Sequence, residues 1–211
     1  MKKITHLMLG AIVACVFMQT AFACSPPIPP SPGQENQQPT KIIASANGLY
    51  MVKLVPPVYT RDPQRGLVIS RNAYGEAFRA KPDGSLELMW KMPLDYVYYR
   101  NFEGEYFLDD DGIFLVQINF AKSLDDKKAM RVYQRGKLIF SYSPRTFMPQ
   151  LNRFQVSTCG NAPWIKRESA ITRSPIVLKE HYLAFQTIDA KKWWFDIRKP
   201  PAQAKGSTQS W

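Results

Sequence analysis

Histidine and cysteine are scarce in this chain: among 211 residues there are two histidines, His6 and His181, and three cysteines, Cys15, Cys24 and Cys159. Zinc sites draw their ligands mainly from these two residue types, so a zinc centre is not expected. There is no Gly-x-Ser-x-Gly elbow to present a nucleophile. His181 follows Glu180 and precedes Tyr182-Leu183 where a strand begins, which reads as a turn residue and not as a catalytic base. Its rival role, as the partner of a Cys159 nucleophile, needs a free thiol. Acidic residues are also few, 17 against 28 Lys and Arg, for a formal charge of +11. Long apolar runs are missing except from Leu7 to Met18, shorter than the roughly 20 residues of a membrane-spanning helix.

That run is preceded by Lys2 and Lys3 and followed by Ala21-Phe22-Ala23, the layout of a secretory signal with small residues at the cleavage site. Residues 1–23 are therefore expected to be removed between Ala23 and Cys24, giving a periplasmic or secreted protein. A cysteine directly after the cut is also where a bacterial lipoprotein is acylated, so a lipid anchor at Cys24 is the alternative. The bulky Phe22 argues for plain secretion. In an oxidising compartment the two remaining cysteines, Cys24 and Cys159, read as one disulfide. Closing so long a loop would stabilise the fold by roughly 4–5 kcal/mol.

Loss of Lys2 and Lys3 leaves a net charge of +9, which favours an anionic partner. In the cell envelope that means lipid headgroups, lipopolysaccharide or cell-wall polymers, or another envelope protein, and nucleic acid is not expected. Contact with a membrane is expected only through a lipid anchor. The basic clusters Lys127-Lys128, Arg131, Arg135 with Lys137, and Lys191-Lys192 sit beside turns. They read as solvated faces first and as a binding face second.

Residues 24–40 form a Pro-rich linker, 41–199 a folded β domain, and 200–211 a polar tail. Period-two alternation dominates the domain: Leu86, Leu88, Trp90 and Met92 alternate with Glu87, Met89 and Lys91, and Phe114, Val116, Ile118 and Phe120 flank Gln117 and Asn119. Strands with one buried face are the expectation. Hairpin turns fall at Pro82-Asp83-Gly84, Asp111-Gly112 and Arg135-Gly136. The single helix candidate is a turn or two around Arg145–Leu151, so the fold class is all-β, built of antiparallel meanders.

A repeat runs through these strands. Residues Ser45-Ala46-Asn47-Gly48-Leu49-Tyr50 match Asp109-Asp110-Asp111-Gly112-Ile113-Phe114, and a third copy without glycine runs from Lys179 through Tyr182 and Phe185. A turn ending in Asn-Gly or Asp-Gly before an aromatic and aliphatic strand resembles TolB-type and WD-repeat propeller blades, and Trp194-Phe195-Asp196-Ile197-Arg198 resembles a blade's closing strand. The pattern is also similar to a group of exported bacterial β-meander proteins. The resemblance implies architecture and no activity. Three copies are too few for a closed propeller, so it implies an open propeller-like stack or a sandwich.

For chemistry, Asp109-Asp110-Asp111-Gly112 offers carboxylates for calcium but lacks the later ligands of a calcium loop, and a hairpin turn accounts for it. Asp95, Glu103, Glu105 and Asp109 could supply the paired carboxylates of a cell-wall glycan hydrolase, with Tyr96, Tyr98, Tyr99, Phe102, Tyr106 and Phe107 as sugar-stacking rings. Core and cross-strand packing is the first reading of those rings and sugar stacking the second. The expectation is a non-catalytic envelope binding module with a basic surface, having no catalytic residue, metal ligand or cofactor; the glycan hydrolase is the alternative.

Overall fold

The structure, a computed structural model, describes residues 33, 36, 38–97, 101–102, 104–152, 162–166 and 176–200. The signal, the cleavage site at Ala23 and Cys24, and the proposed Cys24–Cys159 bond lie outside the described residues, as do Glu103, Tyr98 and Tyr99.

The described chain is all-β with one short helix, as its alternation requires. Three antiparallel sheets follow one another in sequence. The first has strand order β1-β2-β5-β6, made of Lys41–Ala44, Tyr50–Val55, Tyr74–Ala80 and Leu86–Pro93. A hairpin of β3 (Val58–Asp62) and β4 (Gly66–Arg71) is inserted between its second and third strands. A two-residue pairing of β7 (Tyr96–Val97) with β8 (Asn101–Phe102) leads to the second sheet. That sheet is a plain meander of β9 (Glu105–Leu108), β10 (Phe114–Ile118), β11 (Met130–Gln134) and β12 (Lys137–Tyr142). The third has β13 (Val177–Lys179), β14 (Tyr182–Gln186) and β15 (Lys192–Asp196). The hairpins at Asp83-Gly84, Asp111-Gly112 and Arg135-Gly136 join β5 to β6, β9 to β10 and β11 to β12, where turn chemistry puts them.

The three sheets pack face to face through two apolar cores and close no barrel. Val52, Leu54, Ala77, Trp90 and Met92 of the first sheet pack against Tyr106, Leu108, Leu115 and Tyr133 of the second. The opposite face of the second sheet sends Phe114, Val116, Ile118, Met130 and Val132 into a core shared with Leu178, Leu183, Phe185 and Phe195 of the third. The middle sheet is thus covered on both faces, and every residue of β10 is buried. This corrects the expectation of a half-buried strand there: Gln117 lies inside, where its carboxamide accepts from the Tyr133 hydroxyl at 3.0 Å and donates to Asn119 Oδ1 at 3.2 Å.

A second correction concerns β6. Trp90 and Met92 are buried, but Leu86 and Leu88 are exposed. Ala77 pairs with Trp90 whereas Phe78 pairs with Leu88, leaving Met89 as an extra residue. Such a bulge moves everything beyond it to the opposite face, so one alternating stretch serves two surfaces.

The helix α1 (Pro144–Phe147) is a single turn with Pro at its start, where a missing N–H is tolerated. It delivers Phe147 into the second core among the rings of Tyr142, Trp164, Phe185, Trp193 and Phe195, with centroids 5.1–5.7 Å away. No helix among the described residues is long and apolar enough to cross a membrane.

Candidate functional site

Among the described residues two places gather polar chemistry, at opposite ends of the first sheet. At one end the first turns of the three repeats meet. Asp109, whose side chain has no solvent exposure, closes the turn between β9 and β10 by accepting the N–H groups of Ile113 and Phe114 on Oδ1, both at 2.9 Å. Its other oxygen, Oδ2, lies 3.1 Å from Nδ1 of His181, in the turn between β13 and β14. Nε2 of the same ring lies 3.2 Å from Asp111 Oδ2. Asp110 reaches both neighbours: its carboxylate accepts the Asn47 N–H at 3.1 Å and the Glu180 N–H at 3.0 Å, while its carbonyl accepts from the Asn47 carboxamide at 2.7 Å. A buried carboxylate is expensive to desolvate unless its lone pairs are used. Burial pushes the Asp109 carboxyl above the usual range, against the two amides and His181, which pull it down.

At the other end of the first sheet, a groove of about 540 Å³ is lined by Arg71, Asn72, Ala73, Tyr74, Lys91, Met92 and Pro93. Tyr74 pairs with Pro93 at the last rung between β5 and β6, and the chain turns from β4 into β5 just above it. The Arg71 guanidinium sits 5.3 Å from the centre of the Tyr74 ring, a cation–π distance. Lys91 holds Glu76 at 2.7 Å, and that hydrogen bond raises its pKa. The floor is apolar and both charged lining residues are cations. An anion with a flat or apolar body fits such a surface, with Arg71 as the bidentate donor.

Of the candidate hydrolase carboxylates, the three described ones, Asp95, Glu105 and Asp109, are not gathered into this groove. Asp95 is paired with Arg131 at 2.7 Å, which holds its carboxyl below the usual range, and lies 4.0 Å from Lys128. Asp109 is the buried cap described above, and Glu105 begins β9. Of the proposed stacking rings, Tyr106 is buried and Phe107 packs against the second core, so both are structural. The side chains of Tyr96 and Phe102 fall outside the description. Among the basic clusters, Arg131 and Lys128 answer Asp95, and Lys191 answers Asp189 at 3.5 Å, whereas Lys127, Arg135, Lys137 and Lys192 are exposed.

Reasoning from sequence missed the bridge from His181 to Asp109 and Asp111, because the third repeat lacks the glycine that marks the other two turns. The usable signal was positional: laid over the other copies, Glu180-His181 occupies the turn. Nor did Arg71 and Lys91 stand out, being single charges twenty residues apart that only the β5–β6 pairing brings together. Comparison with known proteins assigns neither place: no family model matches this sequence, and no curated protein matches it.

Proposed function

We propose that this chain is an exported cell-envelope protein that acts as a non-catalytic binding module, taking an anionic partner in the groove between Arg71 and Lys91. The observation that carries this reading is the groove's lining, which combines two cations, an aromatic ring and a polar Asn72 over an apolar floor and includes no carboxylate. The net positive charge of the whole chain adds long-range attraction for the same class of partner. The hydrolase alternative needs two carboxylates facing one cleft, and Asp95 and Asp109 are both engaged with internal partners.

Titration of the protein with lipopolysaccharide, anionic lipid vesicles and an acidic polysaccharide, each against its neutral counterpart, tests the reading. Binding that weakens with salt and falls at least about tenfold in Arg71→Ala/Lys91→Ala supports it, as loss of charge-assisted contacts predicts. Equal binding by the double variant places the anion elsewhere, and release of reducing sugar from cell-wall glycan would restore the hydrolase.

A further inference from the structure

We propose that His181 and Asp111 hold a divalent transition-metal ion of the zinc type, with Asp109 as the carboxylate that orients the imidazole. This site is separate from the groove and does not depend on it.

The argument is one of donors and acceptors. Oδ1 of Asp109 is occupied by two backbone amides, and Oδ2 of the ionised carboxylate accepts, so with Asp109 charged Nδ1 of His181 facing it carries the ring hydrogen. That choice leaves Nε2 with its lone pair turned towards Asp111 Oδ2, 3.2 Å away and also an acceptor. Two acceptors at that distance attract each other only through a cation between them, either a second proton on the ring or a metal ion. A histidine tied at Nδ1 to a carboxylate and open at Nε2 is the arrangement that metal sites use to fix tautomer and raise ligand basicity. The three residues each bring a ligand-type atom within 4.8 Å of the other two, with Asp109 on the Nδ1 side of the ring and Asp111 on the Nε2 side, so an ion at Nε2 takes His181 and Asp111 as its ligands.

Access and field also bear on the ion. The Asp111 side chain is 57% exposed and that of His181 20%, which lets a hydrated ion reach them and keep water in its remaining positions. Arg198 is a cation whose field reaches Asp111, but its guanidinium is held by Asp196 at 2.8 Å. Phe114 packs edge-on against the imidazole with centroids 5.7 Å apart and keeps the ring from swinging away. Glu180, next in the chain, has its N–H engaged by Asp110, which fixes the turn that carries His181.

The experiment is calorimetric titration of the full chain, its thiols alkylated, with zinc chloride and separately with nickel chloride at pH 7.5. One saturable site per chain is expected. Asp111→Asn, at an exposed position, should weaken binding at least about tenfold, His181→Gln should abolish it, and Asp109→Asn should cost about 10–100-fold through the orientation of the ring. Zinc should raise the melting temperature of the parent and leave that of Asp111→Asn unchanged, which gives a readout independent of heats. No saturable binding by the parent, or equal binding by Asp111→Asn and His181→Gln, would overturn the proposal and leave Nε2 with a proton in place of the metal.

Discussion

The turn at residues 45–49 and the turn at residues 109–113 are the same backbone built with different side chains. In each, the residue at the first position exchanges a hydrogen bond with the aromatic residue five places on: Ser45 N–H to Tyr50 O at 2.9 Å, Asp109 N–H to Phe114 O at 3.0 Å. In each the glycine donates back to the first carbonyl, from Gly48 at 3.0 Å and from Gly112 at 3.2 Å, with φ of +72° and +68°. The first side chain completes the turn, as the Ser45 hydroxyl accepting the Tyr50 N–H at 3.1 Å or as the Asp109 carboxylate accepting two amides. A hydroxyl serves the first turn with one oxygen, whose hydrogen goes to Asn47 at 2.7 Å. A carboxylate has a second oxygen to spare, and that oxygen recruits His181. That spare oxygen, together with the Asp110 carboxylate that accepts the Glu180 N–H, ties the second sheet to the third.

The glycines sharpen the comparison most. A Cβ on Gly48 meets nothing within 4 Å, so Gly48→Ala should cost only the left-handed backbone strain, about 1–2 kcal/mol. A Cβ on Gly112 would lie 2.7 Å from Cγ of the Tyr50 ring, and the Gly112 carbonyl accepts the buried Trp90 indole N–H at 2.8 Å. Gly112→Ala adds overpacking to the strain and should cost about 3–5 kcal/mol, since it forces the first and second sheets apart. Urea denaturation of the two variants beside the parent measures both; equal losses would mean that the two sheets do not meet through this turn.

Removing the first side chain of each turn is the next contrast. Asp109→Ala leaves the amides of Ile113 and Phe114 without their acceptor and frees His181, and should cost about 2–4 kcal/mol. Ser45→Ala deletes one neutral acceptor and should cost about 1 kcal/mol. Hydrogen exchange adds a spatial check, because Asp109→Ala should also loosen the amides of β13 and β14, whereas Ser45→Ala should not. An Asp109→Ala variant whose third sheet exchanges as slowly as the parent's would deny the carboxylate its bridging role.

Much of this was legible because it is local. Asp-Gly and Arg-Gly turns, alternation and a helix limited by Pro144 and Pro149 are written in neighbouring residues, and they give the hairpins and the all-β class. The repeat between Ser45 and Asp109 also shows in the sequence, because both copies keep glycine and aromatic at the same offsets. What stayed hidden depends on one-residue shifts or on distant pairing. The bulge at Met89 that exposes Leu86 and Leu88 changes no residue type, and the burial of Gln117 follows from the first sheet lying over the face of β10 that Gln117 shares with Leu115. The partners of His181 are some seventy residues away, and only the stacking of sheets brings them within reach.

The smallest effect compares Asp109 with a second nearly buried carboxylate, Asp196 at the end of β15. Asp109 is pushed up by burial. Asp196 instead accepts the Arg198 guanidinium on both oxygens at 2.8 Å and the Arg198 N–H at 3.0 Å, with Lys199 at 3.6 Å, and is held down at about 2 against an ordinary value of 3.8. A carboxyl whose folded pKa is depressed contributes stability that is complete above the unfolded value and is lost as pH falls through the folded one, here between about 4 and 2. A fall from 3.8 to about 2 corresponds to about 2.4 kcal/mol, but the Arg198 side chain is 45% exposed and solvent screens the pair, so about 1–2 kcal/mol is expected. Asp109 has the opposite sign: its folded form binds the proton more readily than its unfolded form, so acid relieves the cost of burying its charge. Asp196→Asn should therefore lose about 1–2 kcal/mol at pH 7 and close to nothing at pH 2, measured by urea denaturation at each pH. A loss as large at pH 2 as at pH 7 would show that the hydrogen bonds of Asp196, and not its charge, hold the end of the third sheet.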